Sequence, residues 1–341
     1  MKKILIVTAL NLEFQAVQKY LTETSPETHP LTGSTYVNGL YTNGGRSFEV
    51  MIVETGAGNN RATDESGRAI QHFKPDFTFF VGVAGGVKDV QIGDVVASTK
   101  VIGFEMGKAD KDFKPRLDMI PASYRLEQIA KQVKRENTWL NKIGDQSTRI
   151  RSLAFVQPIA AGEKVVVSNQ SEAYSIINKY CSDAVAIDME GIGFLIAARP
   201  HAVDAIEVRG ISDMLEKKEE ADAKGSQPEA AAHASAFTFA MIDLLELDIP
   251  ANQNIRADDF QTQLLEFLVI RYPQGPEQEN IWTRAGGDVS ILVNMTSRKA
   301  QWRNALEKLA LGGGGKKITL ETLMNEVKED FPNDINELFT A

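Results

Sequence analysis

The sequence predicts an α/β fold, a mostly parallel mixed sheet with helices on both faces, followed by a small all-α helical bundle. Three observations carry this expectation. Apolar strand-like runs alternate with amphipathic helical stretches from residue 3 to residue 247, the pattern of a layered α/β domain. One run, Phe77 to Val83, is apolar almost throughout, as a parallel strand covered on both faces must be. Beyond Pro250-Ala251-Asn252-Gln253-Asn254 the strand signal vanishes and only helical spacing is left. The expected division is an α/β domain at 1–247, a linker at 248–256 and a helical domain at 257–341.

In chain order, Lys3 to Ala9 reads as an apolar strand, and Leu10 to Leu21 carries helical spacing at Leu12, Ala16, Val17, Tyr20 and Leu21. Pro26 to Pro30 reads as a loop. Tyr36 to Tyr41 and Phe48 to Glu54 read as strands joined by a turn at Asn43-Gly44-Gly45. Thr55-Gly56-Ala57-Gly58-Asn59-Asn60 is a glycine-rich strand-to-helix turn, with a helix from Arg61 to Phe73 behind it. The strand Phe77 to Val83 ends at Ala84-Gly85-Gly86, and Gly93-Asp94-Val95-Val96 opens the next. Gly103 to Pro121 is polar and reads as an insertion, and Leu126 to Trp139 as an amphipathic helix. Leu153 to Ile159 is a strand running into the loop Ala160-Ala161-Gly162-Glu163-Lys164-Val165-Val166. A helix over Glu172 to Lys179, a strand end at Val185 to Ile187, a small apolar helix from Gly191 to Ala198, a strand from Ala205 to Ile211 and a long helix from Ala230 to Leu247 complete the domain. The tail offers three helical faces, on Phe260-Leu264-Leu265-Leu268, Trp302-Leu306-Leu309-Ala310 and Leu320-Leu323-Met324-Val327, with Gly312 to Gly315 as a flexible connector.

Composition narrows the function classes. A chain of 341 residues exceeds one average domain. Its 43% hydrophobic and 24% charged residues suit a soluble protein with a sizeable core. No apolar run approaches the roughly 20 residues of a membrane span. The basic, then apolar, opening Met1-Lys2-Lys3-Ile4-Leu5-Ile6-Val7 stops short of a signal peptide, so a cytoplasmic protein is expected. The lone Cys181 excludes an intrachain disulfide, and four scattered histidines leave no metal-ligand spacing, so neither metal nor cofactor is expected. The net charge of −9 divides into −3 from Ile255 onward and −6 before it. Both parts are acidic, which argues against nucleic acid or an anionic membrane as partner.

Three acids then stand out. Asp188 and Glu190, in Ala186-Ile187-Asp188-Met189-Glu190-Gly191, and Asp213, in Arg209-Gly210-Ile211-Ser212-Asp213, all fall where a strand ends and a helix begins. That edge is where open α/β sheets bind ligands. A single acid there equally serves a helix dipole or an N-cap. The ordered set of motifs carries more weight than any one of them.

Five motifs in order resemble the nucleoside phosphorylase and nucleosidase superfamily, in particular the methylthioadenosine/S-adenosylhomocysteine nucleosidases. They are Thr8-Ala9-Leu10-Asn11-Leu12-Glu13, Gly82-Val83-Ala84-Gly85-Gly86, Gly93-Asp94-Val95-Val96, Ala186 to Gly191 and Arg209 to Asp213. The resemblance covers roughly residues 3 to 245 and implies a purine ribosyl N-glycosidase that releases adenine from a nucleoside or nucleotide, commonly as a homodimer. It implies Glu13 as the residue that activates water and Asp213, beside Ser212, as the general acid that protonates the leaving base. Asp188, Met189 and Glu190 would hold the ribose, Ala84 and Gly85 would line the sugar site, and Val165 and Val166 would hold the base. The chemistry fits those residue types. Glycosidic cleavage passes through an oxocarbenium-like cation, the departing base needs a proton, and a carboxylate beside the cation is an electrostatic contribution realised in the transition state.

Two departures from the family pattern matter. Val165 stands where the family places a base-stacking aromatic, and Val83 where it places a serine. Glu163-Lys164 is also charged where small nucleosidases are not, so Lys164 and Arg61 are candidates to contact a 5′-phosphate. No arginine occupies the first strand–loop segment or the position before Gly82, and Arg46 falls in a turn, so hydrolysis is expected rather than phosphorolysis. The competing class is a nucleotide-sensing module without turnover; Glu13, Glu190 and Asp213 together favour the enzyme. The tail resembles the small helical effector-associated domains of bacterial conflict systems, on Phe260 to Tyr272, Trp302 to Leu309, Gly312 to Gly315 and Leu323 to Phe331-Pro332-Asn333 with Leu338. It implies a protein partner carrying a similar domain and a defence setting.

Overall fold

A computed structural model describes residues 1–111, 113–144, 151–215, 225–245, 257–293, 295, 297–310 and 313–331. The chain divides into two compact units, Met1–Leu247 and Asp248–Ala341. The linker expected at Pro250 to Asn254 lies outside the described residues, as do Pro332, Asn333 and Leu338.

The first unit is built on β1 (Lys2–Thr8), α1 (Asn11–Gln18), β2 (Thr22–Thr28), β3 (Thr35–Asn43), β4 (Arg46–Glu54), α2 (Asn59–Phe73), β5 (Phe77–Gly86) and β6 (Val95–Gly103). Short strands β7 (Gly107–Lys108), β8 (Lys114–Pro115) and β9 (Asp118–Pro121) follow, then α3 (Tyr124–Glu136), β10 (Ala154–Ala161), α4 (Glu172–Tyr180), β11 (Ala186–Asp188), α5 (Gly191–Ala198), β12 (Asp204–Asp213) and α6 (Ser226–Asp243). The main sheet has the order β11-β10-β6-β12-β5-β1-β4-β3-β2. Alternate residues of its strands feed two cores. Ile4, Ile6, Ile52 and Phe79 pack against α1, α3 and α6, while Leu5, Val7, Val53 and Phe80 pack against α2 and α5.

Three expectations for this unit need correction. The sheet is evenly mixed: β1–β4, β1–β5, β5–β12, β6–β10 and β10–β11 are parallel, whereas β2–β3, β3–β4, β6–β9, β6–β12 and β5–β11 are antiparallel. Hairpin connections force the β2–β3–β4 edge antiparallel, its second turn being Gly44-Gly45, both at positive φ. The segment read as a loop at Pro26 forms the edge strand β2, where a proline that donates no hydrogen bond is tolerated. The polar insertion contains β9, which pairs with β6. Because β11 pairs with β5 as well as β10, strands β5, β12, β6, β10 and β11 close into a ring. The ends of β5, β11 and β12 therefore meet.

The second unit contains α7 (Ala257–Arg271), α8 (Ile281–Arg284), α9 (Arg298–Ala310) and α10 (Leu320–Asp330). Its core gathers Leu264, Leu268, Tyr272, Trp282, Trp302, Leu323 and Val327. Of the glycines expected to form a flexible connector, Gly312 lies outside the described residues, and Gly313 to Gly315 are packed instead. Trp282 Nε1 donates to the Gly314 carbonyl at 3.0 Å, and the Asp288 amide donates to the same oxygen at 2.8 Å. Gly315 has φ +146, and a Cβ there would lie 2.7 Å from Gly287 Cα. The turn uses glycine because the backbones approach each other, not because the chain must flex.

Candidate active site

A cavity of about 220 Å³ opens where the ring closes. Its lining joins the start of α1, the end of β5, the loop after β10, the β11–α5 turn and the end of β12. Glu13, Ala84, Gly85, Lys164, Val165, Val166, Asp188, Met189, Glu190, Ser212 and Asp213 all line it. Arg61 does not; its guanidinium lies against Gly56, in the turn that contributes Ala57 to the wall.

Glu13 is almost wholly buried, at 2% exposure. Its Oε2 accepts from the Ala9 and Leu10 amides at 2.8 and 2.9 Å, and its Oε1 from the Val83 amide at 2.8 Å. It therefore caps its own helix and ties that helix to β5, while facing the cavity. Burial raises its pKa, against the Arg209 charge and these amides. Glu190 is the residue before α5 and accepts from the Gly58 amide at the start of α2 at 3.0 Å. Burial lifts its pKa to about 7, opposed by Arg209 and assisted by Asp188. Asp213 is the last residue of β12, not beyond it, and is 2% exposed. An irregularity between Ile211 and Asp213 shifts the register there, a device that re-aims a side chain. Ser212 Oγ donates to Asp213 Oδ2 at 3.0 Å.

Asp188 faces inward beneath this layer. Its Oδ2 accepts from the Glu190 amide at 3.2 Å, the Gly191 amide at 2.8 Å and Arg209 Nη2 at 2.5 Å. The Met189-Glu190 turn is thus held by a buried ion pair. At the rim, Val165 is 56% exposed and Lys164 is 76% exposed in its side chain, with Nζ 3.6 Å from Glu105 Oε1. Asp94, from the third motif, stands away from the cavity and accepts from the Leu153 and Gln91 amides at 2.8 and 2.7 Å.

Arg209 opens the fifth motif without a role assigned to it, and Glu207 lies outside the motifs. Arg209 is fully buried, bonded through Nε to Glu207 Oε1 at 2.6 Å and through Nη2 to Asp188 and, at 3.3 Å, to Glu190. Its guanidinium lies 4.3 Å from the Phe80 ring centre, a cation–π contact. A side chain at Gly82 would overlap both Arg209 Nη1 and Glu13 Oε1, so glycine is required there. A signal was present: two charges two residues apart in the otherwise apolar Ala205 to Ile211 share one face of a strand. Among the described residues, no group of three or more His, Cys, Asp or Glu is placed to hold a metal ion, and no helix is long and apolar enough to cross a membrane.

Comparison with known proteins identifies the family of the first unit. The chain is 26% identical over 244 residues to the 5′-methylthioadenosine/S-adenosylhomocysteine nucleosidase of Maridesulfovibrio salexigens, covering 70% of this chain and 98% of that one. It is 25% identical over 235 residues to the ATP nucleosidase Cap17 of Escherichia coli, covering 62% of this chain and 45% of that one. The fold matches the crystal structure of Helicobacter pylori 5′-methylthioadenosine/S-adenosylhomocysteine nucleosidase with a TM-score of 0.59 at 23% identity, over 72% of this chain and 99% of that one. The family model of the phosphorylase superfamily matches residues 3–243, and the chain belongs to that family.

Proposed function

We propose that this protein is a purine nucleosidase that hydrolyses the N-glycosidic bond of an adenine nucleoside or nucleotide. The observation that carries the reading is the convergence of Glu13, Glu190 and Asp213, from three separate elements, on one cavity. Asp213 gives a proton to the leaving base as the C1′–N bond breaks and its electron pair moves to the base. Glu190 accepts from the ribose hydroxyls and places negative charge beside the cationic sugar. A water held between Glu13 and Arg209 Nη1, which is buried without a protein hydrogen-bond partner, attacks C1′ and passes its proton to Glu13. A carboxylate whose pKa is raised by burial is the better base for that step. The base rests against Val165 and Val166 through apolar contact.

The two similar nucleosidases are named for substrates that share adenosine and differ at its 5′ end. Lys164 at the rim, and Arg61 beside the Gly56 turn, are the cations proposed to meet a 5′-phosphate. The helical unit is proposed as an effector-associated domain that recruits a partner with a similar domain, in a conflict or defence setting, with the catalytic unit forming a homodimer. Support for the tail rests on its sequence resemblance and on its own apolar core.

The test is base release, followed by chromatography, from adenosine, 5′-methylthioadenosine, S-adenosylhomocysteine, AMP and ATP, with and without millimolar phosphate. Adenine release that is indifferent to phosphate, leaving a free 1′-hydroxyl on the sugar, supports hydrolysis. A strict phosphate requirement with a 1-phosphate product would replace it with phosphorolysis. Tight binding with no base released, with a partner present too, would leave a sensor.

A further inference from the structure

Glu207 sits at the centre of the buried charge cluster, yet it does not line the cavity and is fully shielded from solvent. Its backbone amide donates to Ser98 Oγ on β6 at 3.2 Å, and its side chain lies beneath Gly191, where any Cβ would overlap it. Oε1 accepts from Arg209 Nε at 2.6 Å. Oε2 has no donor among the protein atoms, and neither does Asp188 Oδ1. The two carboxyl groups are gathered on one guanidinium, Glu207 at Nε and Asp188 at Nη2, so each brings one unpaired oxygen to the same buried cluster. Two acceptors without donors in one dry charge cluster favour a proton between them, because a buried unsatisfied group is costly and neighbouring like charges disfavour ionisation.

The surroundings indicate which residue holds that proton. Asp188 from β11, Glu190 at the start of α5, Glu207 and, across Gly82, Glu13 from α1 surround one guanidinium, that of Arg209. Three donors converge on Asp188 Oδ2. Glu207 accepts one, from Arg209. Burial, and then the adjacent Asp188 charge, push Glu207 well above the usual carboxylate range.

We propose that Glu207 is a positioning residue carried as the neutral acid, its Oε2–H donating to Asp188 Oδ1 while its Oε1 accepts from Arg209 Nε. Through these two bonds it fixes the guanidinium and the Asp188–Gly191 turn, and so sets where Glu190 stands in the cavity. Its effect on turnover rests on the nucleosidase reading; its protonation state does not.

Infrared difference spectra of the full chain against Glu207→Gln at pH 7 test the proton directly. A protonated-carboxyl carbonyl band present in the unmodified protein and lost in the variant is expected, and its absence overturns the proposal. Glutamine can make both bonds, donating its amide to Asp188 and offering its carbonyl to Arg209. Glu207→Gln should therefore keep its melting temperature and release adenine from 5′-methylthioadenosine or ATP within about threefold of the unmodified rate. Glu207→Leu retains bulk but neither bond, and should lower kcat by roughly 10²-fold, the scale of a ~1 Å misplacement. A Glu207→Gln protein that fails to fold, or loses more than about tenfold in kcat, would show that the negative charge is required and end the neutral-acid assignment. If neither nucleoside nor nucleotide is turned over by any form, the infrared band and the melting temperature still decide where the proton is.

Discussion

Removing the charge option at Glu190 should change how stability depends on pH. The carboxyl has an ordinary pKa of 4.5 when exposed and about 7 in the fold, chiefly because burial penalises its ionised form. The folded state therefore holds this proton more tightly than the unfolded chain does. The contribution is fully present below pH 4.5 and is lost as the pH rises to about 7. A shift from 4.5 to about 7, at about 1.4 kcal/mol per unit, is worth roughly 3 kcal/mol. The side chain is 8% exposed, so solvent screening takes little from that figure. Glu190→Gln is neutral at every pH and cannot contribute this dependence. Urea denaturation followed by circular dichroism between pH 4.5 and 8 should show the unmodified protein losing stability with a steeper slope than Glu190→Gln. The difference between the two slopes should integrate to roughly 3 kcal/mol. Parallel curves would mean that Glu190 is ionised throughout and that Arg209 outweighs its burial. The same titration should appear in catalysis: if ionised Glu190 supports the cationic sugar, kcat/KM of the unmodified enzyme rises through about pH 7.

Asp213→Asn should keep the circular dichroism spectrum while lowering kcat by roughly 10²–10⁴-fold, the usual contribution of a general acid; turnover at the normal rate would remove Asp213 from that role. Val165→Phe restores a stacking surface at an exposed rim position. It should lower KM for an adenine substrate about two- to tenfold, from an aromatic contact of about 0.5–1.5 kcal/mol, and an unchanged or higher KM would place the base elsewhere. Gly315→Ala forces a Cβ onto the Gly287 backbone at positive φ. It should destabilise the second unit by about 1–3 kcal/mol, seen as an earlier fluorescence transition of Trp282 and Trp302, with adenine release from the first unit unaltered. Loss of both together would contradict independent units.

What was legible in the sequence was local. The acids at Asp188, Glu190 and Asp213 could be placed at strand ends because apolar strand runs and small helical runs meet at those residues. The cavity they line follows once those ends are brought side by side. What brings them there is not local. The pairing of β11 with β5 joins residues about 100 positions apart, and nothing in Ala186-Ile187-Asp188 encodes its partner. Pro26 to Pro30 reads as a loop because it is polar and bounded by prolines; its first residues instead end the edge strand β2, which is exposed along nearly all of its length and needs no apolar alternation to form. The glycines at 313–315 looked flexible because sequence reports conformational freedom and not the tryptophan that packs on them.

The buried polar layer marks the sharper limit. Glu13 reads as a first-turn acid, and it does cap its helix through the Ala9 and Leu10 amides. Its third bond, to the Val83 amide, is what turns the cap into part of a site. A structural role and a site role therefore share one side chain, and no weighing of one against the other from spacing alone could separate them. Glu207 and Arg209 extend the same point. A guanidinium with no solvent exposure is costly unless several acceptors surround it, so the strand that carries Arg209 had to bring acids with it. Glu207 is two residues away, while Asp188 and Glu190 arrive only when β11 and α5 are in place. The site's charge balance is thus a property of the closed ring of strands. Any substitution that loosens the ring should be felt at Glu190 before it is felt in overall stability.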